Sequence, residues 1–341
     1  MSCKRVVLVN PNRMQPPIAP IGLEYVAAGL ERCGYTPVLC DLSFAGDWAA
    51  SLDAAVSDGP YAAALVSIRN LDDAYFASRD FILGRTNEII QRLRGQGRPP
   101  LILGGVGFSI APAEVLDFTG ADYGIAGDGE DALPALLDCL AGGEKPWKVP
   151  GAVYREENGA IRVHPPAMAR LDSPLPSRRY LDHARYFAEG GQAGLETKRG
   201  CGHGCIYCVE PQAKGRQVRL HAPESVVEEI RDLLEQGVNV FHLCDSEFNL
   251  PPAHAHAVCA AIEYAGLGKE IRWYAYAYPH PFDESLARAM ARAGCAGVNF
   301  GVDHGDPDMI RRLGRQYTPG DLEVTVHACR SAGLTVMFDM L

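Results

Sequence analysis

The stretch Lys198-Arg199-Gly200-Cys201-Gly202-His203-Gly204-Cys205-Ile206-Tyr207-Cys208 places three cysteines in one glycine-rich loop, with the spacing C-x3-C-x2-C. Thiolates are soft ligands that suit zinc or an iron–sulfur cluster. Three thiolates from one loop can hold three corners of a cubane cluster and leave the fourth iron open, whereas a structural zinc site takes four protein ligands. The spacing therefore favours a [4Fe–4S] cluster on these cysteines over a zinc site with His203 as the fourth ligand.

The sequence after this loop alternates strand-like and helical patterns. Strand-like apolar runs cover residues 195–198, 238–243, 271–275, 297–302 and 334–341. Helical periodicity covers residues 223–236, 253–265, 283–293 and 320–332. Gly237, Gly294 and Gly333 follow three of these helices, where glycine readily adopts the left-handed conformation that ends a helix. The pattern predicts an α/β unit of barrel type.

The last strand-like run stops at Leu341. A parallel sheet that ended there would leave an open apolar edge, which natural proteins avoid. We therefore expect the chain to be a fragment of a longer protein, with a partial (β/α) barrel that is truncated at its C-terminus.

The first half of the sequence shows a similar alternation ahead of the cysteine loop. Apolar runs at residues 6–9, 38–42, 62–68, 101–103 and 123–126 predict five strands, and periodic segments at 21–33, 80–93 and 130–140 predict helices. Crossover helices on both faces make an open, doubly wound parallel sheet of the Rossmann or flavodoxin type. Such sheets bind ligands at the carboxyl ends of their strands. Those ends are the loops at residues 10–20, 69–73, 104–112 and 127–130.

These patterns divide the chain into three segments. Residues 1–145 form the doubly wound domain, and residues 191–341 form the partial barrel. Residues 146–190 break the alternation: short apolar runs flank Asn158-Gly159, a pair typical of a hairpin turn. Four prolines then indicate a linker, namely Pro165, Pro166, Pro174 and Pro176.

The composition limits the class of protein. The net charge of −10 disfavours nucleic-acid binding, because such affinity comes mainly from Lys and Arg on phosphates. No stretch approaches the roughly 20 apolar residues of a membrane span, and the N-terminus has no signal-peptide pattern. The eleven cysteines are an odd number without a secretory signal, which argues against a disulfide framework. We expect a cytoplasmic protein with no membrane partner.

The cysteine motif, placed after a strand at the start of a barrel-like unit, resembles that of the radical S-adenosylmethionine superfamily. The resemblance implies that Cys201, Cys205 and Cys208 hold a [4Fe–4S] cluster. Its open iron would bind the amino and carboxylate groups of S-adenosylmethionine. Tyr207 matches the aromatic position at which the backbone of these proteins touches adenine.

Three further stretches of the second half are similar to the same superfamily. Asp245 and Glu247 follow a strand, where relatives bind the methionyl amine. Asp303 follows the predicted strand at residues 297–302, which is similar to a strand of these proteins, and it would reach the ribose. Arg315 could pair with a substrate carboxylate as a bidentate fork. The alternative for Asp245 and Glu247 is that they are solvated loop carboxylates. The alternative for Arg315 is that it is a surface arginine.

A doubly wound domain ahead of this motif resembles the cobalamin-binding radical enzymes of the methyltransferase type. The residues that carry the likeness lie in the loops after the strands, where glycines let the backbone approach a bulky ligand. They are Asn10, Arg69, Asn70, Gly104, Gly105, Gly107, Gly127, Gly129 and Glu130.

One feature departs from many cobalamin proteins. The Asp-x-His-x-x-Gly motif that ligates cobalt from below is absent, and Arg69 stands where several relatives place a side chain beneath the corrin. This pattern is similar to that of the tryptophan 2-C-methyltransferases. Because an arginine does not give up its proton to ligate a metal, the resemblance implies cobalamin without a histidine ligand. The alternative for Arg69 is a salt bridge to Asp72 or Asp73.

The resemblance implies a C-methyltransferase that uses the cluster, S-adenosylmethionine and cobalamin to methylate a weakly nucleophilic carbon. The substrate would be a small molecule or a peptide-derived compound, and a flavodoxin or ferredoxin would supply electrons. Two alternatives stay open: a cobalamin radical enzyme that cyclises or rearranges its substrate, and a non-catalytic protein that binds zinc or another ligand.

Overall fold

The computed structural model describes residues 3–73, 77–95, 99–171 and 178–340, so that Pro174, Pro176 and Leu341 of the predictions above lie outside it. The contacts within the chain define two compact units, of which the first contains the residues up to Ala169 and the second those from Gly215 onward, with most of the residues between. Among the described residues, no helix is long and apolar enough to span a bilayer.

The first unit is a seven-stranded sheet covered by helices on both faces. Its strands are β1 (Arg5–Asn10), β2 (Thr36–Asp41), β3 (Ala63–Ser67), β4 (Leu101–Gly104), β5 (Tyr123–Ile125), β6 (Ala152–Arg155) and β7 (Ile161–Val163). Its helices are α1 (Ile21–Arg32), α2 (Trp48–Ser57), α3 (Ile82–Gly95), α4 (Val106–Ile110), α5 (Pro112–Thr119) and α6 (Gly129–Ala141).

The strand order of this sheet is β2-β1-β3-β4-β5-β6-β7, and β1 to β5 are parallel. Successive residues of β1 point to opposite faces: Val7 packs with α2, α3 and α5, whereas Leu8 packs with α1 and α6. Both faces are therefore apolar, which is why β1 and β3 have no polar alternation. The order of the first five strands is the flavodoxin-like one, with its switch point between β1 and β3. The predicted doubly wound sheet is confirmed.

The sheet also extends beyond the predicted five strands. The hairpin of β6 and β7 pairs antiparallel with β5, through partners such as Gly124 and Val153. Val153 is fully buried in the same core as β1, so the hairpin packs with residues 1–145 and does not form part of a separate linker. The structure thus places the edge of this unit later than residue 145.

Three helices of this unit differ from the sequence-based expectation. Helix α4 occupies most of the segment 104–112 that was expected to be a loop, and it begins directly after Gly105, whose φ is 96°. Helices α2 and α5 were not predicted. All three are short, and their apolar positions are too few to establish a period of 3.6 residues.

The second half of the chain carries a five-stranded parallel sheet with helices between its strands. The five strands of this sheet are β8 (Ala193–Leu195), β11 (Val240–Leu243), β12 (Arg272–Ala277), β13 (Cys295–Asp303) and β14 (Thr335–Met340), and a separate two-stranded sheet consists of β9 (Lys198–Arg199) and β10 (Arg219–Leu220). The helices of this half are α7 (His183–Ala188), α8 (Glu210–Lys214), α9 (Pro223–Glu235), α10 (Pro252–Tyr264), α11 (Glu284–Arg292), α12 (Pro307–Arg312) and α13 (Pro319–Ala332).

The order of this sheet is β14-β13-β12-β11-β8, so that strands consecutive along this α/β pattern are neighbours, as in a parallel barrel. One face of β12 is buried with the helices through Trp273 and Ala275. Gly237, Gly294 and Gly333 have φ values of 78°, 92° and 74°, which confirms the left-handed helix ends.

The predicted strand 195–198 is two separate strands in the structure. β8 pairs with β11, whereas β9 pairs antiparallel with β10. The break falls at Thr197, whose backbone N–H donates to the carboxylate of Asp245 at 2.8 Å and not to a neighbouring strand. This break directs the chain into the cysteine loop.

A buried ion pair stabilises the second unit. The guanidinium of Arg178 donates to Glu229 of α9 at 2.6 Å and to the carbonyl of Gly194 at 2.8 Å. Both charged side chains have no exposed surface. The attraction between two buried opposite charges offsets the free energy of removing them from water. Loss of one partner leaves the other charge buried and unpaired, which destabilises the fold far more than loss of an exposed ion pair does.

We expect Glu229→Ala to lower the free energy of unfolding of the second unit by about 3–5 kcal/mol, because the Arg178 guanidinium loses this carboxylate in a buried position. Urea-induced unfolding measures the loss, with the fluorescence of the buried Trp273 as a probe of this unit.

Glu228→Ala is the matched control on the same helix. Glu228 pairs with Arg231, and the two side chains are 70% and 48% exposed, so the loss should stay below about 1 kcal/mol. Equal losses from the two substitutions would contradict the structural role given to the buried pair.

Candidate functional site

The cysteine loop has no regular secondary structure and is held at its two ends. At its start, the N–H of Cys201 donates to the carbonyl of Gly215 at 3.1 Å. Gly200 has a φ of 92°, and a Cβ there would lie 2.2 Å from the carbonyl oxygen of Gln217, so only glycine fits. Further on, the N–H of Ile206 donates to the carbonyl of Leu313 at 3.1 Å. These contacts fix the path of the loop.

The three thiols are not engaged in disulfides, and none is completely buried: Cys201 and Cys205 are half-buried and Cys208 is exposed. Burial raises the pKa of the Cys201 and Cys208 thiols. In the described part of the chain, no three His, Cys, Asp or Glu side chains converge on a point that could hold a single metal ion. A cubane cluster needs no such convergence, because each thiolate bonds a different iron. The donor set therefore fits the predicted cluster.

A network of buried charged side chains lies next to this loop. The Nη1 of Arg315 is 3.2 Å from the sulfur of Cys205, and its Nε is 3.0 Å from a carboxylate oxygen of Asp303. Glu247 lies 3.9 Å from the same guanidinium. The hydroxyl of Tyr207 donates to Asp303. Four of the residues predicted to bind S-adenosylmethionine are thus brought together beside one of the predicted cluster cysteines.

Asp303 has an unusual backbone conformation. Its φ is 64°, in the left-handed region that residues other than glycine rarely adopt. This conformation ends β13 and leaves the buried carboxylate between Arg315 and Tyr207. Strain of this kind persists where the surroundings over-determine it, and it concentrates at functional sites.

The pKa of Glu247 is raised to about 7. The main cause is burial, which disfavours the charged form, and the nearby Asp303 raises it further. Arg315 and Lys198 act in the opposite direction but do not compensate. This carboxyl group therefore changes its charge near neutral pH.

Asp245 has a different environment from Glu247. It is buried, and it accepts hydrogen bonds from the N–H and the hydroxyl of Thr197 at 2.8 and 2.5 Å, and from the N–H of Lys198 at 3.2 Å. The carboxylate holds the backbone just before the cysteine loop, so the structure gives it a positioning function. Its binding of the methionyl amine remains a prediction.

Sequence reasoning missed two aromatic residues of this network. Tyr278 stacks on the ring of His203, with centroids 4.1 Å apart, and its ring lies 4.7 Å from the Arg315 guanidinium. Tyr317 lies 5.7 Å from the same guanidinium. No sequence motif marks either tyrosine, and only the proximity of Tyr317 to Arg315 in the chain could have suggested its role.

The predicted cobalamin residues lie where expected, at the carboxyl ends of strands. Asn10 ends β1 and is 2% exposed. Its amide donates to Asp41 and to Ser43, each at 2.9 Å, and its carbonyl oxygen accepts from the N–H of Asn12 at 3.2 Å. In this structure the side chain organises the loop after β1, and contact with a ligand remains a prediction.

The glycines of the neighbouring loops allow the loops to pack on one another. A Cβ on Gly105 would lie 2.6 Å from the carbonyl oxygen of Ile68, and one on Gly107 would lie 3.0 Å from the backbone of Arg69. A Cβ on Gly127 would lie 2.2 Å from the carbonyl oxygen of Ala167, whereas one on Gly129 would meet only the side chain of Val26, at 2.9 Å. Gly104 and Glu130 are buried beside them. Close backbone packing is thus one sufficient reason for Gly105, Gly107 and Gly127, and the contact of these residues with cobalamin remains a prediction.

Arg69 differs from these residues because it is exposed. It follows β3, next to the switch point of the sheet, and its guanidinium donates to the side-chain oxygen Oδ1 of Asn70 at 2.7 Å. A ligand at the carboxyl ends of β1 and β3 would meet this cation, so the chemistry of the region fits the predicted cofactor.

Comparison with known proteins finds one family match in each half of the chain. Residues 12–137 match the B12 binding domain, and residues 195–341 match the radical SAM superfamily. The doubly wound unit and the cysteine-bearing parallel unit therefore define a class: enzymes that combine a cobalamin-binding domain with a radical S-adenosylmethionine barrel.

The similarity to individual proteins narrows this class. The chain is 32% identical to a tryptophan 2-C-methyltransferase of Streptomyces laurentii, over 98% of this chain and 67% of that protein. A radical S-adenosylmethionine methyltransferase from Kitasatospora setae, solved with cobalamin and a [4Fe–4S] cluster, superposes with a TM-score of 0.92 and 34% identity, over 99% of this chain and 69% of that one. The structure of the same enzyme with tryptophan and a SAM analogue bound also superposes with a TM-score of 0.92. The chain belongs to the cobalamin-dependent radical S-adenosylmethionine methyltransferases.

We expect Cys205→Ser to abolish the cluster, because one of the three corners loses its thiolate. After anaerobic reconstitution, the unsubstituted protein should contain about four iron atoms with matching sulfide per chain, and the variant should lose most of both. Iron and sulfide analysis with visible absorbance measures the change. Cys244→Ser, a half-buried cysteine outside the loop, is the control and should retain the full content. One zinc per chain in place of iron would contradict this assignment.

We expect S-adenosylmethionine to bind the reconstituted protein more weakly as the pH falls through about 7. The reason is that Glu247 becomes protonated there and no longer attracts the methionyl ammonium group. Glu247→Gln should bind weakly throughout and lose this pH dependence, whereas Glu224→Gln, an exposed carboxyl on α9, should keep it. Calorimetric titration between pH 6 and pH 8.5 measures the affinities, and a pH dependence that survives in Glu247→Gln would refute the assignment.

Proposed function

We propose that this protein transfers a methyl group from S-adenosylmethionine, by way of cobalamin, to an aromatic carbon of tryptophan or of a related indole compound. The observation that carries this proposal is the likeness of both units together to a methyltransferase solved with tryptophan, at 33% identity over 98% of this chain. A likeness confined to one unit would support only the cofactor of that unit.

The open face of the barrel sheet supports an aromatic substrate. In β12, Trp273 and Ala275 face the helices, while Tyr274 and Tyr276 point the other way and are 38% and 39% exposed. Register pairs Tyr276 with Asn299 of β13, which adds an amide beside the phenol rings. Aromatic side chains with one polar neighbour are well suited to stack on an indole and orient it.

The chain's own residues have separable tasks in this function. When bound, the cluster and cobalamin supply the electron transfer and the methyl-carrying chemistry. Cys201, Cys205 and Cys208 would hold the cluster, and Glu247 with Asp303 would bind the cationic and hydroxyl groups of S-adenosylmethionine. Arg69 would be one of the residues that hold cobalamin, as a cation that does not give up its proton to ligate a metal.

The partners and the location follow from the same proposal. A cluster of this kind needs an external one-electron donor, for which a flavodoxin or a ferredoxin is the expected class. Thiols that remain reduced fit a reducing compartment, so we propose a cytoplasmic protein. The net charge of −10 supports a small or peptide-derived substrate over a nucleic acid.

A labelled-methyl assay tests the proposal. The reconstituted protein is incubated anaerobically with cobalamin, a chemical reductant, tryptophan and S-adenosylmethionine that carries a trideuterated methyl group. We expect mass spectrometry to show tryptophan in which a trideuteromethyl group replaces one ring hydrogen. Omission of cobalamin and the variant Cys205→Ser should each abolish the product.

The other outcomes of this assay identify the alternatives. An unlabelled isomer of the substrate would indicate cyclisation or rearrangement and would refute methyl transfer. If tryptophan is replaced by indole in a parallel incubation, label in indole but not in tryptophan would support methyl transfer and exclude the amino acid as the substrate. No product in the presence of a full complement of cluster and cobalamin would contradict the proposed substrate class.

A further inference from the structure

Arg315 has a more specific position than the sequence suggested. Its Nη1 lies 3.2 Å from the sulfur of Cys205, a predicted cluster ligand. The side chain is only 4% exposed. A guanidinium remains charged at any physiological pH and carries five N–H donors in a rigid plane. With a cluster bound to Cys205, this part-buried contact would be a charge-assisted hydrogen bond to a thiolate.

The other nitrogens of the guanidinium also face acceptors from this chain. Nε lies 3.0 Å from Asp303, and Nη2 donates to the carbonyl of Gly301. Recognition of a carboxylate by arginine uses two adjacent nitrogens as a fork. Nη1 and Nη2 already donate to acceptors of this chain, so the fork that they form is not presented to an incoming carboxylate, while Nε forms an ion pair with Asp303 without a hydrogen bond. This geometry disfavours the expected role of Arg315 in binding a substrate carboxylate.

Two tyrosines fix the plane of this guanidinium. The rings of Tyr278 and Tyr317 lie 4.7 and 5.7 Å from it, within the range of cation–π attraction. Each ring is itself held by its hydroxyl: that of Tyr278 accepts from the N–H of Gln316 at 2.6 Å, and that of Tyr317 donates to the carbonyl of Val302. The direction of the N–H toward sulfur is thus set by several independent contacts.

The backbone of the two residues before Arg315 also packs against the cysteine loop. The carbonyl of Leu313 accepts the N–H of Ile206 at 3.1 Å. Gly314 has a φ of 78°, and a Cβ on it would lie 2.4 Å from the carbonyl oxygen of Gly204. The segment from Leu313 to Arg315 therefore holds the loop around Cys205 in place through two backbone contacts and one side chain.

We propose that Arg315 is a positioning residue that sets the reduction potential of the cluster through its hydrogen bond to the Cys205 thiolate. Hydrogen bonds to the sulfurs and nearby positive charge stabilise the reduced, more negative state, and therefore raise the potential. Arg315 would in this way make the cluster easier to reduce before S-adenosylmethionine binds.

Redox titration of the cluster, followed by electron paramagnetic resonance, tests the proposal. The titration is done without S-adenosylmethionine, cobalamin or methyl acceptor, so its result does not depend on the proposed substrate. We expect Arg315→Gln to shift the potential to more negative values and Arg315→Lys, which keeps the charge without the fork, to give a smaller shift. A pH well above 7 keeps Glu247 ionised in the unsubstituted protein.

Arg216→Gln is the matched control. It removes one positive charge from the same region, but Arg216 is exposed and faces the carbonyl of His203 at 3.4 Å, not a sulfur. The reduction potential of the cluster in Arg216→Gln should equal that in the unsubstituted protein. Equal shifts in Arg216→Gln and Arg315→Gln would overturn the proposal. So would an unchanged potential in Arg315→Gln with weaker binding of S-adenosylmethionine, because this arginine would then serve the ligand and not the cluster.

A second measurement needs no substitution at Arg315 and so avoids a variant that loses its cluster. The protein is produced with 15N-labelled arginine, and the reduced cluster is studied by electron–nuclear double resonance. We expect a 15N coupling from the guanidinium beside Cys205, and we expect it to persist in labelled Arg216→Gln. Absence of the coupling in the unsubstituted protein would overturn the proposal.

Discussion

The function of this protein depends on holding three cysteines in a loop that has no regular secondary structure of its own. A free loop would sample many conformations, and ordering each residue costs about 1–2 kcal/mol of backbone entropy. Hydrogen bonds from outside the loop offset this cost: the carbonyl of Gly215 accepts at the start of the loop, and the carbonyl of Leu313 accepts from the N–H of Ile206. The break between β8 and β9, fixed by Asp245, gives the chain its entry direction. The site is therefore a property of the whole second unit.

The charges beside the loop form one coupled set. Asp303 and Glu247 are two buried carboxyl groups that share the single guanidinium of Arg315. Burial is the main cause of the raised pKa of Glu247, and the neighbouring Asp303 raises this pKa further. Arg315 and Lys198 lower it, but they only partly offset these two effects. A positively charged ligand would relieve the imbalance, which suits a sulfonium compound with an ammonium group.

The sequence predicts those parts of the structure that arise from local patterns. Buried strands such as β3 are continuous apolar runs, and the spacing of the three cysteines alone predicts an iron–sulfur cluster. The pairing of β6 with β5 and the stacking of Tyr278 on His203 involve residues distant in the chain, and neither leaves a periodic signal. Helix α4 is short enough that Gly104–Gly105 looked like the start of a loop. What escaped prediction is therefore what tertiary contacts determine.

Two arginines show how burial decides between functions that a sequence leaves equal. From the sequence, Arg69 and Arg315 were both candidates to contact a cofactor or substrate. Arg315 is almost fully buried, its Nη1 and Nη2 donate to acceptors of this chain and its Nε forms an ion pair with Asp303, so its charge acts on its immediate surroundings. Arg69 is exposed at the carboxyl end of β3, where a ligand at that edge of the sheet would meet its charge. A buried arginine thus adjusts the properties of a site, whereas an exposed one can take part in recognising what binds there.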